Sequence, residues 1–170
     1  MIARRIAITG HRKLWRYGND TTERLKEAFL LFARNRVKEY GSVVFHCGMA
    51  IGTDMVCADV IVDHPSPNID FIAFVPCLDQ EKLWPQELQD HYHHLLLLAK
   101  RVNYVSNEPY SYLCMARRNE AMVNTCDEVF AVYDNDSKGG TQHCIKYAHK
   151  MGKPVTIWNP VKEVDNVTTN

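Results

Sequence analysis

The chain has 170 residues, with 20 Lys+Arg against 20 Asp+Glu and a formal net charge of zero. At 46% hydrophobic and 24% charged residues it is neither a disordered nor a fibrous sequence, and its length suits one globular domain. The balanced charge argues against nucleic acid as a partner, and no apolar run approaches the ~20 residues of a membrane span.

Met1-Ile2-Ala3-Arg4-Arg5 runs straight into the first predicted strand, 5–9, rather than into a leader's apolar stretch. Behind that strand, Gly10 permits a sharp turn, and His11, Arg12, Lys13 and Arg16 gather potential cations at its end. This loop is either a solvated basic turn or a phosphate or carboxylate contact. A helix is predicted over 21–40, where Leu25, Phe29, Phe32, Arg36 and Tyr40 form a stripe and Asp20 with Glu23 supplies a capping signal. A strand over 42–46 leads into Gly48-Met49-Ala50-Ile51-Gly52-Thr53-Asp54 and a helix over 53–62. Two glycines four apart, closing on Thr-Asp at a helix start, make a loop whose amides can face an anion. It matches neither a Walker A loop nor a GxGxxG fingerprint. Asp54 either caps the helix, accepts from a ribose hydroxyl or stabilises a cationic sugar.

The next strand, 70–75, ends in a loop running from Pro76 through Gln80 to Trp84, and the Trp is either a lid on the core or a base-stacking platform. A helix over 85–100 carries His91, His93 and His94 followed by Leu95–Leu98. The histidines read as a solvated face, with no metal site expected. The leucines span more than one helix face, which favours a homodimer or higher oligomer. After a strand over 102–105, a helix over 111–126 holds Arg117 and Arg118, of which only one can face the sheet. The strand over 128–133 opens into Asp134 and then Gly139-Gly140-Thr141, which is either a glycine-rich turn without a ligand or a phosphate cradle of bare amides and a hydroxyl at a helix N-terminus. A helix over 141–151 and a strand over 154–158 complete the domain, 1–160, and the polar tail 161–170 is expected to be flexible.

Six strands alternating with five helices predict an α/β fold: a three-layer, Rossmann-like open sheet, mostly parallel, with helices on both faces. Such sheets bind ligands beyond the carboxyl ends of their strands. The six cysteines show no CxxC pair, so buried free thiols in a soluble, cytoplasmic protein are expected, and Asn166-Val167-Thr168 then carries no glycan.

The succession Thr9-Gly10-His11-Arg12, Gly48–Asp54, Pro76…Gln80…Trp84, Arg118-Asn119 and Gly139-Gly140-Thr141 resembles the SLOG superfamily. It is most similar to the YspA/YpsA-like branch, relatives of the Lonely Guy phosphoribohydrolases and of the DNA-processing protein DprA. The resemblance covers roughly residues 5–160. It implies a domain that binds a nucleotide or nucleotide-derived metabolite (an ADP-ribose-like or cyclic nucleotide signal) as a sensor or sequestering protein, often as a homo-oligomer and without a cofactor. Candidate ligand-binding residues are Gly10, His11, Arg12, Gly48, Met49, Ala50, Gly52, Thr53, Asp54, Trp84, Arg118, Asn119, Asp134, Gly139, Gly140 and Thr141.

Lonely Guy enzymes cleave a base from a nucleoside 5′-monophosphate with an arginine and a glutamate. Alignment puts Arg118 on that arginine but His143 on that glutamate. N-glycosidic cleavage passes through an oxocarbenium-like state that a carboxylate stabilises. Either Asp54 or Asp134 takes over, making Arg118, Asp54 and Asp134 the catalytic candidates, or the site binds without cleaving. DNA handling in the manner of DprA is a further, weaker alternative.

Overall fold

The computed structural model describes residues 3–161; the tail expectation, 161–170, lies almost wholly outside them. In chain order the elements are β1 (Arg4–Gly10), a single 3-10 turn (Leu14–Tyr17), α1 (Thr21–Tyr40), β2 (Val43–Cys47), α2 (Thr53–Asp63), β3 (Ile69–Val75), α3 (Gln86–Leu98), β4 (Arg101–Tyr104), α4 (Tyr112–Thr125), β5 (Glu128–Val132), α5 (Gly140–Lys150) and β6 (Val155–Trp158). The six strands form one sheet in the order β4-β3-β2-β1-β5-β6, and every neighbouring pair is parallel.

Alternation along the central strands separates two cores. Ile6 and Ile8 of β1, Phe45 of β2 and Phe130 and Val132 of β5 pack with Leu25 and Phe29 of α1, Cys57 of α2 and Tyr92 of α3. Ala7, Val129 and Ala131 point to the other face, where Met122 of α4 and Cys144, Ile145 and Ala148 of α5 cover them. Strands buried on both faces are why the sequence shows continuous apolar runs.

Element boundaries follow local chemistry. Pro85 stands in an extended conformation as the N-cap of α3, and Ala99 ends that helix in an extended conformation too. Ser111 caps α4, its hydroxyl accepting from the Cys114 amide. Asp20 sits at the N-cap of α1 with a helical backbone, and its carboxylate pairs with Arg24 at 3.5 Å rather than capping through its side chain. Arg36 belongs to the apolar stripe of α1 because its guanidinium lies over Phe32 and pairs with the buried Glu128 at 3.1 Å. All six cysteines are buried and free. Among the described residues no helix is long and apolar enough to cross a membrane.

Candidate functional site

The chain leaves β1 toward β2 on one side, whereas β5, lodged on the other side of β1, continues outward to β6. Connections that diverge from two adjacent strands leave a crevice at their carboxyl ends. A cavity of about 300 Å³ lies there. It is lined by residues 8–12 from the end of β1, Ala50 and Asp54 from the loop into α2, Tyr110, Tyr112, Met115, Arg118 and Asn119 around α4, and residues 137–141 at the start of α5.

Arg118 is the cation at its floor, only 5% exposed, while its neighbour Arg117 faces solvent. Its Nη1 donates to the Gly48 carbonyl and lies 3.9 Å from Asp54 Oδ2, and its Nε donates to Asn119 Oδ1 at 2.9 Å. Asn119 in turn donates from Nδ2 to the Gly140 carbonyl at 3.4 Å. Two adjacent helix residues therefore tie the two glycine turns to one another. Asp54 Oδ2 accepts from the Ala50 amide at 3.2 Å, so the carboxylate folds back onto the loop before its helix. Burial pushes the Asp54 carboxyl above its ordinary range, against the opposing pull of the Arg118 charge, the Ala50 amide and Arg12.

Close approach explains the glycines. A Cβ on Gly48 would stand 2.1 Å from Arg118 Nη1, and one on Gly52, whose φ is +89°, would stand 2.3 Å from the Arg12 carbonyl oxygen. Thr53 locks the loops behind β1 and β2 together, donating its amide (3.2 Å) and hydroxyl (2.9 Å) to the His11 carbonyl. Met49 is fully buried with φ +58°, and its carbonyl accepts from Gln80 Nε2 at 3.0 Å.

Of the residues expected at the site, Gly10, His11, Arg12, Ala50, Asp54, Arg118, Asn119, Gly139, Gly140 and Thr141 share this one cavity. Gly48, Met49, Gly52 and Thr53 stand behind its wall, as described. Asp134 also stands one layer back. Its carboxylate accepts from the Tyr17 hydroxyl at 2.7 Å, the Asp136 amide at 3.1 Å and both the amide and hydroxyl of Ser137. Burial works against ionisation there, but these donors, led by Ser137, hold the carboxyl well below the usual range. His11 Nε2 lies 3.1 Å from the Asp134 amide nitrogen and 3.3 Å from its Oδ1. One ring nitrogen serves only one of these at a time, by accepting or by donating. Trp84 lies edge-on to Tyr92 and lines a neighbouring cavity. His143 is exposed on α5 and does not line the site cavity.

Sequence reasoning missed Tyr110, Tyr112, Met115, Ser137 and Lys138. The spacing 112, 115 and 119 along one helix face carried a signal for two of them. His91 and His93, read as solvated, pair with Asp59 at 2.8 Å and Glu81 at 2.9 Å. These are long-range contacts that no local spacing reveals.

The profile of the YspA SLOG family matches residues 6–158. Over 153 residues the chain is 31% identical to the uncharacterized SPbeta prophage-derived protein YoqJ of Bacillus subtilis (strain 168), covering 82% of this chain and 89% of YoqJ. It is 27% identical over 103 residues to a UPF0398 protein of Halalkalibacterium halodurans, a match that spans 59% of this chain and about half, 54%, of that protein. Among solved structures, DNA processing protein A from Helicobacter pylori superposes with a TM-score of 0.64 at 19% identity, over 96% of this chain and 67% of that one. That protein is described by its single-stranded DNA binding mode. The expectation that nucleic acid is an unlikely partner is thereby corrected: net charge averages over the whole surface and says nothing of local basic patches on a fold that elsewhere serves DNA. The fold, the matched span and the YoqJ likeness agree, and the chain belongs to the YspA SLOG family.

Proposed function

We propose that this domain binds a nucleotide or nucleotide-derived metabolite at the switch-point cavity, with a phosphate held near Arg118. The observation that carries this reading is a buried arginine beneath two glycine turns, at the N-terminus of α5. The first amides of a helix lack intrahelical acceptors, and the helix dipole favours an anion there. A Cβ on Gly139 would meet nothing within 4 Å, so a ligand can approach the main chain closely at that turn. Arg12 and Lys138 at the rim supply further positive charge.

A specific observation favours a second reading, N-glycosidic hydrolysis: Asp54 lines the same cavity 3.9 Å from Arg118, a carboxylate placed to stabilise an oxocarbenium-like state. A polynucleotide is a third occupant to test. A basic cavity of about 380 Å³ lined by Arg12, Lys13, Arg16 and Lys138 adjoins the site, and Tyr110 and Tyr112, which line the site cavity itself, are 53% and 76% exposed.

One experiment separates these. The purified protein is incubated with nucleoside monophosphates, NAD, ADP-ribose and a short single-stranded DNA, and solution and heat-released ligand are analysed by mass spectrometry. Intact small ligand recovered from the protein supports the binder, free base supports the hydrolase, and retention of the oligonucleotide alone supports the third reading. If no phosphorylated compound is retained or cleaved, the assignment fails. Arg118→Ala is expected to weaken phosphate-bearing ligands by about 1.5–3 kcal/mol, the range for a charged hydrogen bond. Unchanged affinity in the folded variant removes Arg118 from the site.

A further inference from the structure

A third cavity, about 410 Å³, adjoins the site and shares Arg12 and Tyr110 with it. Its chemistry differs. Leu83, Trp84 and Tyr110 give it apolar and aromatic walls, and Asp79 and Gln80 give it acceptors. Asp79 Oδ1 accepts from the Tyr110 amide at 2.7 Å, which ties the tyrosine segment to the loop after β3.

Gln80 is the informative residue. It is only 5% exposed, and its Nε2 donates to the Met49 carbonyl at 3.0 Å. That bond fixes the amide's orientation, because the flipped form would set oxygen against oxygen. The other end, Oε1, is buried and has no hydrogen-bond partner among the described residues. Buried acceptors are ordinarily satisfied, and because Gln80 lines this cavity a small turn of its amide lets an occupant supply the missing donor.

We propose that this cavity is a nucleobase subsite: it takes a planar heterocycle against Trp84 and Tyr110, and an amino group on the ring edge donates to Gln80 Oε1. The inference rests on the phosphate reading of the adjoining cavity, with Arg12 common to both. An oxo group in place of the amine would bring two acceptors together, so the subsite distinguishes amino-bearing bases from their oxo counterparts. Aromatic walls suit any base, since each has a π-face for stacking, and Gln80 adds the selection.

The test is calorimetric titration of the full chain with three probes: AMP, purine riboside 5′-monophosphate, which lacks only the amino group, and ribose 5-phosphate. AMP is expected to bind about tenfold tighter than the analogue, the scale of one hydrogen bond to a buried acceptor. Gln80→Met should erase that difference. Trp84→Leu should weaken both purine nucleotides roughly tenfold through lost stacking and leave ribose 5-phosphate unchanged. Equal affinity of AMP and its analogue for the unmodified chain overturns the proposal, as does a Trp84→Leu variant that loses ribose 5-phosphate as much as AMP. Binding of ribose 5-phosphate with no gain from the base refutes the base subsite alone. Failure of all three probes refutes the phosphate site and the base subsite together. Should Gln80→Met fail to fold, the analogue comparison on the unmodified chain and Trp84→Leu still decide.

Discussion

Replacing Gly48 by alanine tests the packing on which the site depends. The new Cβ would stand 2.1 Å from Arg118 Nη1, 2.4 Å from its Cζ and 2.8 Å from Asp54 Oδ2. Ordinary carbon contacts are about 3.5–4.0 Å, so the guanidinium must retreat by more than about 1 Å. Gly48 is not one of the positive-φ glycines, so the backbone itself tolerates alanine and the cost falls on the arginine. Retreat breaks the charged bond to the Gly48 carbonyl and leaves Asp54 buried without its nearest cation. We expect a loss of about 2–3 kcal/mol, near the upper range for a charged hydrogen bond. At roughly 2–4 °C per kcal/mol for a chain of this size, the melting temperature should fall by about 4–12 °C. Urea unfolding and calorimetry measure the stability, and titration with a phosphorylated ligand should show weakened binding in the folded variant. Gly139→Ala is the control: its φ is +143° and nothing lies within 4 Å of its Cβ, so backbone strain of roughly 1 kcal/mol is its main expense. A Gly48→Ala protein within about 0.5 kcal/mol of the parent, with unchanged affinity, would refute this packing of Arg118.

Further outcomes follow from the charges. Asp54→Asn keeps a side-chain acceptor for the Ala50 amide but removes the anion beside Arg118, so affinity for a phosphorylated ligand should rise about fivefold, roughly 1 kcal/mol of relieved competition. If the domain is a hydrolase, the same variant retains ligand and releases no base; a weakened affinity contradicts both. Burial lowers the His46 imidazole from 6.5 to about 4. Above pH 6.5 it is neutral folded and unfolded; below, the unfolded chain takes up a proton that the fold refuses. Stability should therefore fall between pH 6.5 and 4 by up to about 3 kcal/mol, and His46→Gln should flatten that slope in urea midpoints measured across the range. Asp134 is linked to the proton in the same direction but at lower pH: its depressed carboxyl adds stability above the ordinary carboxylate range, lost as pH falls below it. Asp134→Ala should cost about 2 kcal/mol and speed amide exchange at Asp136 and Ser137; unchanged exchange contradicts its role as the loop's anchor.

The alternation of apolar runs with amphipathic stretches determined the element order, the two-faced burial of the sheet and the end of the sheet where a site belongs. These are local properties: side-chain period and glycine placement act within a few residues. Helix geometry allowed only one of Arg117 and Arg118 to face the sheet, the family resemblance named Arg118, and the fold buries that residue while Arg117 faces solvent. Tertiary structure alone decided that Gly48 and Gly140, 92 positions apart, are joined through Arg118 and Asn119, and that Asp134 braces its own loop instead of facing the cavity. It alone moved Trp84 into a separate cavity with the open Gln80 oxygen. Such contacts arise from the order of strands in the sheet, which brings β1 beside β5 across more than a hundred residues. A chain's local periodicity fixes which faces must be buried, whereas strand order fixes which distant loops meet, and the cavity exists only where they do.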